Sequence, residues 1–400
     1  MSKKVNLATL PLISLVLATL LLGCTPQISP SATAQPTASA PKPTATAPPA
    51  SKTPSGAAWQ AEWDRVLAEA KKEGKASIYL SEWGNTVRAT FMEEVKKAYG
   101  INVEVITQRG AEIPPRVLAE RRAGIYNYDV FMGGTTTPLT ALKPAGVFDK
   151  LEPALILPDV TDPAVIQKTW FQGKLWWIDN DHTLLMSFVF PNLPLAINTT
   201  MVKEGEIKSF KDLLDPKWKD KIIFSDPTIP GISGSSFLPM TVDLMGMDWV
   251  VGLGKNSVII RDQRLMLDWL AHGKAAVVAP PNTAMYIEFK RAGSPIQGLI
   301  PQEGTWLAAG ESGISIFNKP AHPNAAKVLI NWIMSKEGET ALGQAYGGQS
   351  GREDVSADFV PQELRRQPGV KYWQKEREDV ILGGGAIRDK AKELLAPYMK

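Results

Sequence analysis

Trp59, Trp63, Val66, Leu67 and Ala70 recur at three- and four-residue intervals and stop at Gly74, which predicts an amphipathic helix. The apolar run "ASIYLS" (Ala76 to Ser81) that follows predicts a buried strand. The pattern then repeats. Val87, Phe91, Met92, Val95 and Tyr99 mark a second helix ended by Gly100, and "NVEVI" (Asn102 to Ile106) a second strand. A third helix opens with Pro114 and Pro115 and stops at Gly124, before the strand "YDVFMGG" (Tyr128 to Gly134). Strands alternating with helices predict an α/β fold with a parallel sheet covered by helices.

A second α/β unit follows "LPLAIN" (Leu193 to Asn198). "SFKDLL" (Ser209 to Leu214) reads as helical and "KIIFSDP" (Lys221 to Pro227) as a strand entering a turn. "GSSFLPMTVDLMG" (Gly234 to Gly246) predicts a helix with Pro239 near its first turn. A strand over Ala275 to Ala279, a helix around Ala284 to Ala292 and a strand over Ser312 to Asn318 follow. His322 to Ser335 predicts a helix with Pro323 at its start, and Ala386 to Leu395 a final helix in an otherwise mixed tail.

Composition changes the picture at the N-terminus. Lys3 and Lys4 precede an almost wholly apolar run, Leu10 to Leu22, then Gly23 and Cys24, the one cysteine in 400 residues. This is the order of a secretory signal. The tetrad Leu21-Leu22-Gly23-Cys24 resembles the bacterial lipobox, which implies a lipid-anchored Cys24; a plain signal cut elsewhere is the other reading. Thr25 to Ala58 is built almost entirely from Ser, Thr, Ala, Pro and Gln, and predicts a disordered tether rather than a folded cap. An exported domain without thiols excludes disulfides and cysteine metal sites. Without Lys3 and Lys4 the chain carries 42 bases against 41 acids, a balance that argues against nucleic-acid binding.

No catalytic constellation emerges. His182, His272 and His322 form no metal-binding pair, and "GISGS" lacks the final glycine of a nucleophile elbow. Two small, hydroxyl-rich stretches stand out instead: "GGTTTP" (Gly133 to Pro138) after a strand, and "GISGSS" (Gly231 to Ser236) before a helix. Glycine admits a ligand close to the backbone, and free N–H groups at a helix start attract anions. Ordinary N-capping is the alternative. Among the tryptophans, Trp59, Trp63, Trp269 and Trp332 fall on helical stripes and read as core. Trp83, Trp176, Trp177 and Trp306 read as cleft candidates, with Trp83 at the end of the first strand.

The order of several segments carries a resemblance: "AGIYNYDVFMGG", "LKPAGVFDKLEP", "FQGKLWW", "SFKDLLDPKWKDKIIFSDP", "LAHGKAAVV", "AHPNAAKVLINWIMSKEG" and "GGQSGRED". In that order they resemble the extracellular solute-binding proteins of bacterial ABC importers, in the branch that contains ferric-iron binders. The resemblance implies a two-lobed type II periplasmic-binding-protein fold with a hinge and an interlobe cleft. It implies a non-enzymatic receptor, a small-molecule solute, a permease with its ATPase as partners, and no cofactor or nucleic acid. The chain divides accordingly: 1–23 signal, 24–58 lipidated cysteine and tether, 59–190 mostly lobe 1, 191–300 mostly lobe 2, 301–345 a return to lobe 1. The segment 346–400 is assigned to neither lobe. The expected solute-lining residues are Trp83, Thr135, Thr136, Ser233, Ser235, Ser236, Asn282 and Thr283. Iron-binding members carry two adjacent tyrosines where this chain reads "PPNTAMYIEF", with Thr283 and Ala284 in their place. That departure favours a polar or anionic organic solute over ferric iron. A hydrolase on the same scaffold, or an exported sensor or adhesion module, is the rival of another class.

Overall fold

The computed structural model describes residues 56–81 and 85–399; Cys24, the tether up to residue 55 and Trp83 lie outside them. The described residues form one compact unit built on two main sheets.

The first sheet contains Lys75–Ser81 at its heart, parallel to Asn102–Gln108 on one side and to Val130–Gly133 on the other. Gly313–Phe317 then joins antiparallel to Val130–Gly133 and carries the short strands Leu185–Met186 and Trp176–Trp177 beyond it. The predicted helices cover it. Gly56–Glu73 begins three residues before Trp59 and buries Trp63, Val66 and Ala70 against the sheet and the helix Pro323–Ile333. Phe91 and Trp332 meet edge to face in the same core, their centroids 5.7 Å apart.

The second sheet has the order Ser257–Ile260, Ile222–Ser225, Val277–Ala279, Leu195–Asn198, Ile296–Leu299. Its first three strands are parallel, and Leu195–Asn198 runs antiparallel to both its neighbours. Phe210, Phe237 and Trp249 pack mutually edge to face beneath it.

Two segments pass between these sheets, Phe190–Pro191 outward and Thr305–Ala308 on the return. They pair antiparallel to each other, with Leu307 opposite Pro191. A third strand, Tyr372–Gln374, lies parallel on Thr305–Ala308. The layout is a two-lobed α/β fold with a hinge between the lobes.

"SFKDLL" is helical as expected, a 3-10 helix over Phe210–Leu214 opened by a reciprocal Ser209–Asp212 cap. Several other expectations need correction. Pro239 sits in the second turn of the helix Ser233–Met245 and is buried, so packing keeps a residue that local propensity disfavours. The final helix is Glu378–Leu395, starting eight residues before the expected Ala386 and running through Gly383, Gly384 and Gly385. Its ends are held by tertiary contacts that outweigh three glycines. Trp176 and Trp306 are core residues, each 2% exposed, because their strands lie inside the molecule and not at the cleft. Trp59 and Trp269, expected in the core, are only partly buried.

Candidate functional site

The parallel strands of the first sheet end in a cavity of about 390 Å³. In such sheets the loops after the carboxyl ends of the strands diverge and leave room for a ligand. Ser81 closes one strand and Gly133 the next. A Cβ on Gly133 would overlap the Ser81 hydroxyl, so only glycine lets the two strand ends approach this closely. Thr135 and Thr136, both expected at a site, line this cavity, Thr135 buried and Thr136 exposed.

Three further residues in the cavity wall come from distant parts of the chain. Glu311 arrives on the loop after the returning hinge strand, and its carboxylate accepts hydrogen bonds from the Ser81 hydroxyl and, at 2.7 Å, from the Gly134 N–H. Glu376 accepts a hydrogen bond from the Thr135 hydroxyl. The Lys375 ammonium lies 3.2 Å from the other Glu376 oxygen. None of the three belongs to a short motif. Glu311 left one trace in the sequence, a charged residue between the apolar runs "TWLAA" and "GISIF"; Lys375 and Glu376 left none.

In the second lobe a polar cluster forms where the helix Ser233–Met245 meets the strand Ile222–Ser225. Gly234 N donates to the Ser225 hydroxyl at 3.1 Å, and a Cβ on Gly234 would overlap the Ser225 carbonyl. Asp262 caps the helix Gln263–Ala271 through the Arg264 and Leu265 N–H groups, which fixes Gln263 in its first turn. The Gln263 carboxamide oxygen then accepts from the Ser233 hydroxyl at 2.9 Å and from Asn282 Nδ2 at 3.4 Å. The structure thus brings Ser233 and Asn282 together. Asn282 also caps its own helix, its Oδ1 accepting from Met285 N at 3.1 Å. Ser235 turns back to the Ile232 carbonyl at 2.8 Å, and Ser236 is half-buried beside it. The cavity at Thr135 is lined by none of these residues.

Thr283 lines a different groove of about 580 Å³, together with Arg291, Tyr346 and Gln349. Gly310 separates the two cavities: it lines the first, while the Tyr346 and Phe190 rings that crowd it line the second. Burial, and next the Glu311 carboxylate, push the Tyr346 phenol up to about 12, so it stays protonated at neutral pH. Tyr286 follows the position of the absent tyrosine pair, but is fully buried and accepts a hydrogen bond from Gly298 N at 2.7 Å. Among the described residues no three His, Cys, Asp or Glu side chains converge as a metal-binding group. His182 stacks on Trp177 and pairs with Glu152 at 2.6 Å, while His322 precedes a helix and turns its ring to buried Asp129 at 2.9 Å instead of capping it.

A lobe on either side of paired crossing strands, with a polar cavity at the strand ends, is the geometry of a solute receptor. Residues 90–371 match the family of bacterial extracellular solute-binding proteins. The chain belongs to that family. A relative from Haemophilus influenzae, itself called an uncharacterized protein, is 22% identical over 281 residues, covering 68% of this chain and 77% of its own length. Among solved structures, ferric iron-binding protein A of Mannheimia haemolytica in an open conformation superposes with a TM-score of 0.61 at 13% identity. That match covers 82% of this chain and 100% of the other. The Trichodesmium protein IdiA (FutA), in complex with iron and citrate, gives 0.60 at 15% identity over 81% of this chain and 99% of its own. An ABC transporter structure from Clostridium perfringens also gives 0.60, at 16% identity over 81% of this chain and 100% of its own. These likenesses fix the type II periplasmic-binding-protein fold. As an extracellular solute-binding protein the chain is an exported binding component of an ABC importer, and no described helix is long and apolar enough to cross a membrane.

Proposed function

We propose that this solute-binding protein is a monomeric, lipid-anchored receptor that captures a small polar organic solute between its lobes and passes it to an ABC permease. The observation that carries the reading is the cavity at Ser81 and Thr135, rimmed by hydroxyls and flanked by the crossing strands. Lobe 1 is assigned to 59–190 and 301–345, and lobe 2 to 191–300. Solute that touches both lobes favours the closed state, which is the form a permease recognises. Ser233 and Asn282 are assigned to the facing wall, and Trp83, two residues beyond Ser81 in the sequence, is assigned to the solute. The neighbours' ferric iron does not carry over. The tyrosine pair is replaced by Thr283 and Ala284, Tyr286 is buried, and Tyr346 is held as a phenol. The family match to solute-binding proteins supports the receptor reading ahead of a hydrolase.

The correct solute is expected to raise the melting temperature and to change tryptophan fluorescence saturably. A broad panel of sugars, amines, amino acids, organic acids and oxyanions in which no compound does either would sink the reading. The anchor is tested separately. Cys24→Ser is expected to move the protein from the membrane fraction to the soluble fraction; a variant that stays membrane-bound contradicts lipidation at that cysteine.

A further inference from the structure

The segment from Gly369 onward carries no motif, and the family match ends at residue 371. Its structure is nonetheless specific. Tyr372–Gln374 adds a strand to the hinge, and Trp373 Nε1 donates to Asp243 of lobe 2 at 2.6 Å. Glu378 then anchors to lobe 1, its N–H donating to the Ile178 carbonyl at 2.8 Å and its carboxylate meeting Lys143 Nζ at 2.7 Å. Asp179 and Asp181 hold the same ammonium, each at 2.8 Å. Burial opposes charge on Lys143, but the three carboxylates outweigh it and raise its pKa. The helix Glu378–Leu395 ends in the lobe 2 core, with Ala391 and Leu395 fully buried. The segment is a strap fastened to both lobes.

Between these anchors the strap passes the lobe 1 cavity and places Lys375 and Glu376 in its wall. Glu376 is only 3% exposed. A carboxylate brought this far from water needs compensating partners, and Glu376 has the Thr135 hydroxyl and the Lys375 ammonium. Glu311 has the complementary arrangement. It already sits on the Ser81 hydroxyl and the Gly134 N–H, the donors that an anionic solute would need.

We infer that the C-terminal strap completes the solute site, and that Glu376 with Glu311 selects a solute whose bound end donates hydrogen bonds. An ammonium group or vicinal hydroxyls satisfy this, and both form charge-assisted bonds to carboxylates. A solute ending in carboxylate or phosphate must displace Glu311 and face two carboxylates at once. The inference rests on the receptor reading and revises the anionic solute expected from "GGTTTP" and "GISGSS".

The test is calorimetric titration of the full chain at one pH with 1,4-diaminobutane, myo-inositol, succinate and inorganic phosphate. At least one of the two donor probes is expected to bind, and Glu376→Gln to weaken it about tenfold or more, as loss of a charged hydrogen-bond acceptor does. Lys375→Met separates the two sources: it tightens the diamine by removing a competing cation, and loosens inositol by removing a donor. Lys375 is partly exposed, so this variant keeps the test readable even where Glu376→Gln folds poorly. Succinate or phosphate binding without either donor probe overturns the inference and leaves the receptor reading standing. Unchanged donor affinity in Glu376→Gln overturns it as well, as does binding of none of the four probes. In that last case the broader solute panel decides the receptor reading on its own.

Discussion

Glu339→Gln is expected to raise the melting temperature by about 5 °C at pH 8 and by no more than about 1 °C at pH 5. Glu339 lies on the helix Lys336–Tyr346, is wholly buried, and neither carboxyl oxygen has a hydrogen-bond partner. Ser350, Arg352, Ser187 and Arg366 lie nearby, but burial outweighs them and pushes the carboxyl up to about 8 from its ordinary 4.5. The sign follows from proton counting. Between those two values the folded chain binds more protons than the unfolded one, so stability falls as pH rises. Each pH unit in that window costs about 1.4 kcal/mol, to a total on the order of 3 to 5 kcal/mol above pH 8. Glutamine has the same shape without the charge and escapes the cost. For a body of this size, ~3 kcal/mol corresponds to about 5 °C. Thermal unfolding of both proteins at pH 5, 6, 7 and 8 checks it. A stability difference that stays flat with pH would show that Glu339 does not titrate in this window.

The second large effect concerns Arg352, the arginine of "GGQSGRED". It is 3% exposed, and its guanidinium holds Asp354 by two bonds of 2.8 and 2.9 Å, Asp159 at 2.6 Å and the Met334 carbonyl at 3.2 Å. It also lies over the buried Trp170 ring, 5.6 Å from its centre. Arg352→Met fills the space but leaves two carboxylates and a carbonyl without their cation. Breaking a buried pair typically costs about 3 to 5 kcal/mol. Asp159 and Asp354 are each about one-third exposed and can rehydrate in part, so a loss of about 2 to 3 kcal/mol is expected. Urea unfolding should show a lower midpoint with an unchanged slope. A midpoint equal to the parent's would mean that the ion cluster contributes nothing net.

The two sites differ in how they were visible in the sequence. "GGQSGRED" served as one segment of a family resemblance, with no role for any single residue. The structure makes it a packing device. Ser350, Gly351 and Arg352 lie against Ser187, Trp170 and Asp159, so their use depends on chain far away in sequence. "GGTTTP" was legible because a strand ending in glycines before hydroxyls is a local event, and Thr135 and Thr136 do line a cavity. "GISGSS" was legible in the same way, yet Ser235 spends its hydroxyl on its own turn. Trp176 and Trp306 misled because position near a strand end says nothing about which side of the sheet a neighbouring element covers.

By itself the sequence determined the alternation of strands and helices, the two α/β lobes and the family, because those depend on periodicities and on the order of segments along the chain. The restriction at Thr283 and Ala284 was also local, and spoke against iron before any coordinates. Only the tertiary structure decided what faces the cavity. Glu311 and Glu376 lie 230 and 241 residues from Ser81 and Thr135, the hydroxyls they engage. The strap that delivers Glu376 is held by Lys143, Asp243 and the lobe 2 core. No helical or strand period links such partners. Their meeting is set by where the two lobes pack and by which buried charges must be paired once they do.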